Sequence, residues 1–509
     1  MLQAPEARVL SELDYRPIAI SRLKNKKDSL NWRARWDLNP RPTGFPHKPE
    51  ALRVLSTCRA IRAAPRARYS FLSTRLVCIL VGEVKTLMII CDGMADRTIP
   101  ALAYKTPLEI AKKPNMDWLA KRGISGIMDT IAPGTAPGSD TAHLALLGYD
   151  PYETYTGRGP FEAAGAGIEL RPGDIAFRVN YATVDKNMIV TDRRAGRIHD
   201  TEALAEAVQK IKLKGAEFIF KSTVGHRATL VLRGKGISHE VSDSDPHEEG
   251  KRPLKIEPLL QEPEQKLPSY PIIAGGVRKY VMRRRWAAKT AKLLNDFSQK
   301  AHEVLKKHPV NIERVKKGLP PANYLLIRGG GVVPHLVPFQ ERFGIKGCCV
   351  AAAALVKGVC KLAGMTVVDV PGATGSVNTD LNAKAKAVLE QAQSHDFILL
   401  HVKGADEAGH DGNIKAKIEI IERVDAIINQ FIDSFDFIVV TADHTTPISV
   451  KNHTADPVPV VISGPGVRTD DVKTYSERAA ARGGLGRIRG KDLIPIIIDL
   501  MGKSRKFGA

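Results

Sequence analysis

The sequence predicts an α/β fold: a mostly parallel sheet sandwiched by helices, interrupted in mid-chain by an inserted α+β block. Three observations predict it. Short continuous apolar runs such as TLMIIC (86–91), FILLHV (397–402) and FIVVT (437–441) read as strands buried on both faces. They alternate with amphipathic helical stretches, as crossover connections require. Between 159 and 320 the alternation stops, and a long Lys/Arg-rich helical stretch takes over.

Each segment follows in chain order. Residues 1–84 are rich in Arg and Pro, carry 16 Lys+Arg against 7 Asp+Glu, and have no periodicity long enough to fold alone. One reading is a basic nucleic-acid arm. The preferred reading is a disordered tail or an over-extended reading frame, because a GUG start codon at position 84 would be written as Val. N-terminal sequencing of the native protein decides between these. The first part of the α/β domain, 85–158, holds the strand Thr86–Cys91 and a helix starting at Ser139 behind Pro137-Gly138. The insertion, 159–320, holds strands Asp174–Ala182 and Ala228–Arg233 and helices Thr201–Lys214 and Val281–Lys307. In the second part, 321–509, strands are expected at Tyr324–Ile327, Thr366–Asp369, Phe397–Val402, Phe437–Thr441 and Pro459–Ser463. Helices are expected there at 349–363, 380–394, 413–432 and 491–501. GLGRIRG (484–490) follows no strand and has the wrong spacing for a dinucleotide fingerprint.

Composition bounds the function. A chain of 509 residues with 43% hydrophobic and 26% charged residues is an ordinary globular protein. Its net charge of +21 points to an anionic partner or to a basic tail within the chain. Six scattered cysteines with no C-x-x-C make no disulfide framework and fit a reducing cytoplasm. No apolar run reaches 18 residues, so no membrane span is expected.

Potential ligands follow the strand ends. Asp92 ends the first strand; Asp406 and His410 follow 397–402; Asp443 and His444 follow 437–441; His453 lies in the loop before the last strand. In open parallel sheets, ligands bind beyond the carboxyl ends of strands. Three carboxylates and three imidazoles suit two divalent ions, which can clamp a phosphoryl group in transit. Asp is also a common turn former at strand ends, but turns do not call for three histidines. Ser139, at a helix start, reads either as a nucleophile favoured by the helix dipole or as a plain N-cap. His143 lies one turn on, on the same face, where it can orient a group on Ser139 or serve structure. His226 and His247 have no comparable setting, and His401 reads as a core residue of its strand.

The stretches TLMIICDGMADR (86–97), APGSDTAHLALLGYDP (136–151), YTGRGPFEAAG (155–165), HVKGADEAGHDG (401–412), VTADHTTP (440–447) and NHTADPVPVVISGPG (452–466) resemble the archaeal-type cofactor-independent phosphoglycerate mutases of the alkaline-phosphatase superfamily. The likeness spans about 85–505 and implies an alkaline-phosphatase-like fold with 159–320 as a substrate-binding lid. It implies that Asp406, His410 and His453 hold one metal, and Asp92, Asp443, His444 and the Ser139 oxygen the other. The ions would be Mn²⁺, with Zn²⁺, Co²⁺ or Mg²⁺ as alternatives. It further implies interconversion of 3-phosphoglycerate and 2-phosphoglycerate through phosphoserine at Ser139. Asp192 would shuttle protons, and Arg193 and Arg227 would bind the substrate anion, with Arg328, Lys357 and Lys403 assisting. The expected partner is this small phosphorylated acid, with neither nucleic acid nor membrane. The alternative is a metal-dependent phosphatase or another phosphotransferase on the same scaffold.

Overall fold

The computed structural model describes residues 84–260, 271–506 and 508. Apart from Val84, the expected extension 1–84 lies outside the described residues. The strands are β1 (Thr86–Cys91), β2 (Gly123–Asp129), β3 (Ile175–Val184), β4 (Val190–Asp192), β5 (Glu217–Ser222), β6 (Arg227–Arg233), β7 (Tyr324–Val332), β8 (Gly347–Val350), β9 (Thr366–Val368), β10 (Phe397–Val402), β11 (Phe437–Thr441), β12 (Val458–Ser463) and β13 (Gly486–Arg489).

Eight of them form one sheet in the order β13-β2-β12-β11-β1-β10-β8-β9. β1 is central and fully buried, paired in parallel with β10 on one side and β11 on the other. Continuous burial explains the mostly apolar runs: with both faces covered, a polar side chain needs a partner inside the protein. β12 is antiparallel to both its neighbours. The remaining pairings are parallel, so β12 alone runs against the sheet.

A second, antiparallel sheet joins β4, β3, β6 and β5, with β7 also on β3. It has its own core, where Phe177, Leu230 and Leu325 meet Leu294 and Phe297 of the long helix Pro271–Leu305. The two sheets are linked through the helix Gly159–Gly165, which packs on the helix Ala354–Leu362 and on β3. That crossing needs glycine: a Cβ at Gly165 or Gly358 would stand 1.7 Å from a backbone oxygen of the facing helix.

Several expectations are corrected. Tyr324–Ile327 was assigned above to the parallel sheet, but it belongs to β7, antiparallel to β3. A four-residue apolar run specifies neither direction nor partner. The helix expected over 349–363 begins only at Ala354, because Gly347–Val350 pairs with β10. Strand pairing there overrides the helical propensity of the alanine run. β2, with two glycines, and β13, with two arginines, carry weak strand signals and were not expected at all.

Candidate functional site

Parallel register sets the site. Cys91 pairs with Val402, so Asp92 and Lys403 leave the sheet side by side; Ile90 pairs with Thr441, which puts Asp443 and His444 beside them. The helix Gly404–Asp411 then starts, and its i,i+4 spacing stacks His410 beside Asp406. The loop before β12 returns over the same edge and delivers His453.

Six of the expected ligands gather in two groups. In the first, His444 Nε2 lies 3.3 Å from Asp92 Oδ1 and 3.2 Å from Asp443 Oδ2. All three residues are buried. In the second, Asp406 Oδ1 lies 3.3 Å from His410 Nε2 and 3.4 Å from His453 Nε2, and the two imidazole nitrogens are 3.3 Å apart. His410 Nδ1 meets the carbonyl of Lys451 at 2.9 Å, and His453 Nδ1 meets that of Pro137 at 2.9 Å. A carbonyl can only accept, so both Nδ1 atoms carry the proton and both Nε2 atoms are free for a metal in the neutral rings.

The residues fit divalent cations on a physical test. Asp92 Oδ1 and Asp443 Oδ2 are buried and have no hydrogen-bond partner among the described residues. Buried carboxylate oxygens without partners are costly unless a cation completes them. Burial, then the charge of Asp92, pushes the Asp443 carboxyl well above its ordinary range. Burial is the largest single influence on Asp92 and Asp406 and raises both, but Lys403 and the neighbouring histidines together overcome it, and both are held low. Lys403 Nζ sits 3.0 Å from Asp92 Oδ2 and 2.6 Å from Asp406 Oδ2, between the two groups. Burial pushes His444 down to about 3, leaving a neutral ring able to coordinate. His401, taken above as plain core, donates from Nε2 to Asp92 Oδ2 at 2.9 Å. It therefore orients the Asp92 carboxylate.

Ser139 belongs to this cluster. Gly138 is the N-cap of the helix Ser139–Leu146, so the plain N-cap reading of Ser139 does not hold. Its Oγ lies 3.2 Å from His444 Nε2. His143 is fully buried and holds Ser139 from below, with Nδ1 2.6 Å from the Ser139 carbonyl. It braces the backbone at Ser139.

Beside Ser139 opens a cavity of about 680 Å³, lined by Gly138, Asp140 and Thr141 on one side and by Arg158, Arg178 and Arg328 on the other. Arg178 interrupts the apolar strand β3, and its Nε is buried without a hydrogen-bond partner among the described residues. Burial and the charge of Arg158 hold Arg178 well below its ordinary range. Glu162 is the nearest counter-charge, 3.0 Å from Arg158 Nε and 3.9 Å from Arg178. Arg227 is also depressed by burial, with Glu162 and Asp406 supporting its charge. Arg158, Arg178 and Arg227 outnumber the carboxylates Glu162 and Asp140 beside them, an excess of guanidinium that suits an anion. Arg158 and Arg178 were absent from the expected set. The signal for Arg178 was a charge inside an otherwise uncharged strand.

Other expected residues stand differently. Arg193 makes a bidentate pair with the buried Asp245, at 3.0 and 2.7 Å. Asp245 also approaches Arg328 at 3.5 Å and accepts the backbone N–H of His247, a cavity-lining residue in left-handed conformation. Asp192 accepts the N–H groups of Arg194 and Gly196, both at 2.7 Å. Lys357 pairs with the exposed Asp369 and does not line the cavity.

Comparison with known proteins finds relatives along most of the chain. A family model described as 2,3-bisphosphoglycerate-independent phosphoglycerate mutase matches residues 120–311. The protein of that name from Methanosphaera stadtmanae is 52% identical over 431 residues, covering 84% of this chain and 100% of its own. The one from Archaeoglobus fulgidus is 50% identical, covering 83% and 99%. Among solved structures, a Pyrococcus horikoshii protein matches with TM-score 0.70 and 43% identity over 84% of this chain and 100% of its own. The cofactor-independent phosphoglycerate mutase of Thermoplasma acidophilum matches with TM-score 0.57 and 37% identity over 82% and 100%.

Proposed function

Because the chain belongs to the 2,3-bisphosphoglycerate-independent phosphoglycerate mutases, we propose that it interconverts 3-phosphoglycerate and 2-phosphoglycerate through a phosphoserine at Ser139. The observation that carries this reading is the Ser139 hydroxyl, 3.2 Å from His444 Nε2, standing between six convergent ligands and an arginine-lined cavity.

Arg158, Arg178, Arg227 and Arg328 bind the phosphoglycerate anion and set its phosphorus before Ser139. Two divalent cations, Mn²⁺ in this reading, held by Asp92, Asp443 and His444 and by Asp406, His410 and His453, would polarise the phosphoryl group and offset its charge. Ser139 Oγ loses its proton and attacks phosphorus; the Oγ–P bond forms as the bond from phosphorus to glycerate O3 breaks, and O3 takes a proton. The glycerate then turns in the cavity. Its O2 loses a proton and attacks the same phosphorus, the Oγ–P bond breaks, and Ser139 regains a proton. Asp192 is the proton carrier in this scheme, on the family likeness. The segment 159–320 acts as the lid: water reaching the phosphoserine would turn the enzyme into a phosphatase. Among the described residues, four buried free thiols fit a cytoplasmic setting, and no helix is long and apolar enough to cross a membrane.

A coupled enolase assay on the purified protein, with and without added Mn²⁺, tests this. Formation of 2-phosphoglycerate without free phosphate is expected. Phosphate release without 2-phosphoglycerate would replace the mutase with a phosphatase on the same site.

A further inference from the structure

One hydroxyl connects the two ligand groups. Thr446 Oγ1 lies 2.8 Å from Asp406 Oδ1 and 3.0 Å from His444 Nδ1. Asp406 belongs to one group and His444 to the other. The direction of these bonds follows from the atoms. A carboxylate only accepts, so the single Thr446 proton goes to Asp406. The Thr446 oxygen then has only lone pairs for His444, so His444 Nδ1 must carry a hydrogen. In the neutral ring this leaves Nε2 bare, and Nε2 is the atom facing Asp92, Asp443 and Ser139.

The surroundings hold Thr446 in this pose. A Cβ at Gly93 would come within 2.7 Å of Thr446 Oγ1, and one at Gly409 within 2.8 Å of its methyl. Its carbonyl accepts from Lys417 Nζ at 2.8 Å. The residue itself is fully buried, so water does not compete for the hydroxyl.

We infer that Thr446 is a positioning residue that fixes the tautomer of His444 and ties the geometry of one cation site to that of the other. The inference rests on the proposed function only in taking both groups as cation sites. Without the hydroxyl, His444 Nδ1–H has no acceptor, its ring can rotate or exchange tautomers, and Asp406 loses a donor. Losing a partner of this kind weakens metal affinity by about 10–100-fold.

Mn²⁺ titration calorimetry on metal-free protein tests it. Thr446→Val keeps the shape and deletes the hydroxyl; Thr446→Ser restores the hydroxyl. The expected result is a loss of about 10–100-fold in Mn²⁺ affinity for the valine variant, with the serine variant close to wild type. A valine variant that binds two Mn²⁺ as wild type does overturns the inference. Should valine prevent folding, ¹⁵N shifts of the wild-type histidines decide: Nδ1–H at His444 supports the inference, and Nε2–H overturns it. Wild-type protein that binds no Mn²⁺ would overturn the functional reading itself, a separate outcome.

Discussion

The two ligand groups differ most in access to water. Asp92, Asp443 and His444 are closed off, with side chains at most 1% exposed. Asp406 is equally buried, but His410 and His453 are 39% and 21% exposed. The closed group borders Ser139, while the open group faces solvent. A closed site holds its ligands rigid and gives every charge a larger effect; an open site exchanges readily and shares its field with solvent.

Removing the Ser139 hydroxyl, the proposed nucleophile, should have the largest effect. Ser139→Ala is expected to lower turnover by about 10⁶-fold, as loss of a nucleophile does elsewhere, while mass spectrometry still finds the ion of the open group. Substantial residual turnover would mean that the closed group serves another residue. Next, brief dialysis against a chelator should take one equivalent of metal, from the open group, before the second leaves. Elemental analysis at intervals reads this out, and simultaneous loss would erase the distinction. Re-adding Mn²⁺ should restore activity.

Third comes the support shared by both groups. Lys417 is fully buried, donates to the carbonyls of Ala95 and Thr446, and pairs with Asp96 at 2.7 Å. Ala95 follows Asp92, and Thr446 follows His444, so the one ammonium ties down both loops. Burial, the larger influence, lowers Lys417 despite Asp96. Lys417→Met leaves Asp96 buried without its partner and should cost about 3–5 kcal/mol in urea denaturation.

The smallest effect is in pH. A hydrogen bond to Asp406 raises His410 above its ordinary value. In metal-free protein that pair stabilises the fold fully below the unfolded value of ~6.5 and loses its effect as pH rises through the folded one. His444, held near about 3 by burial, acts oppositely. As pH falls from ~6.5, the unfolded chain takes up a proton that the folded chain refuses, and stability declines down to about 3. NMR titration should show His410 protonating first; the reverse order would contradict the burial contrast.

Much of this was legible in the sequence because burial leaves a plain mark. β1, β10 and β11 are mostly apolar runs, and each is followed within a few residues by Asp or His. Asp92, Asp406, His410, Asp443 and His444 could therefore be singled out as candidates before any pairing was known, whereas His453 lies in a loop and Ser139 at a helix start. What was hidden depends on pairing. His401 looks like core until β1 sets Asp92 beside it. Thr446 is an ordinary turn residue until Asp406 and His444 approach from opposite sides. Arg193 and Arg328 suggest an anion site, but only the fold shows Asp245 beside both. Local pattern reports burial; it does not report the neighbour.

The reversed direction of β12 has a consequence for how the ligands are supplied. Had that strand run with the rest, a crossover of a dozen or more residues would have carried the chain down to the opposite rim of the sheet. Reversal lets residues 442–457 stay at one rim throughout, long enough to present Asp443, His444 and His453 in a single pass. A contiguous segment thus reaches into both ligand groups. Its departure from strand–helix alternation is what keeps distant side chains on a common leash.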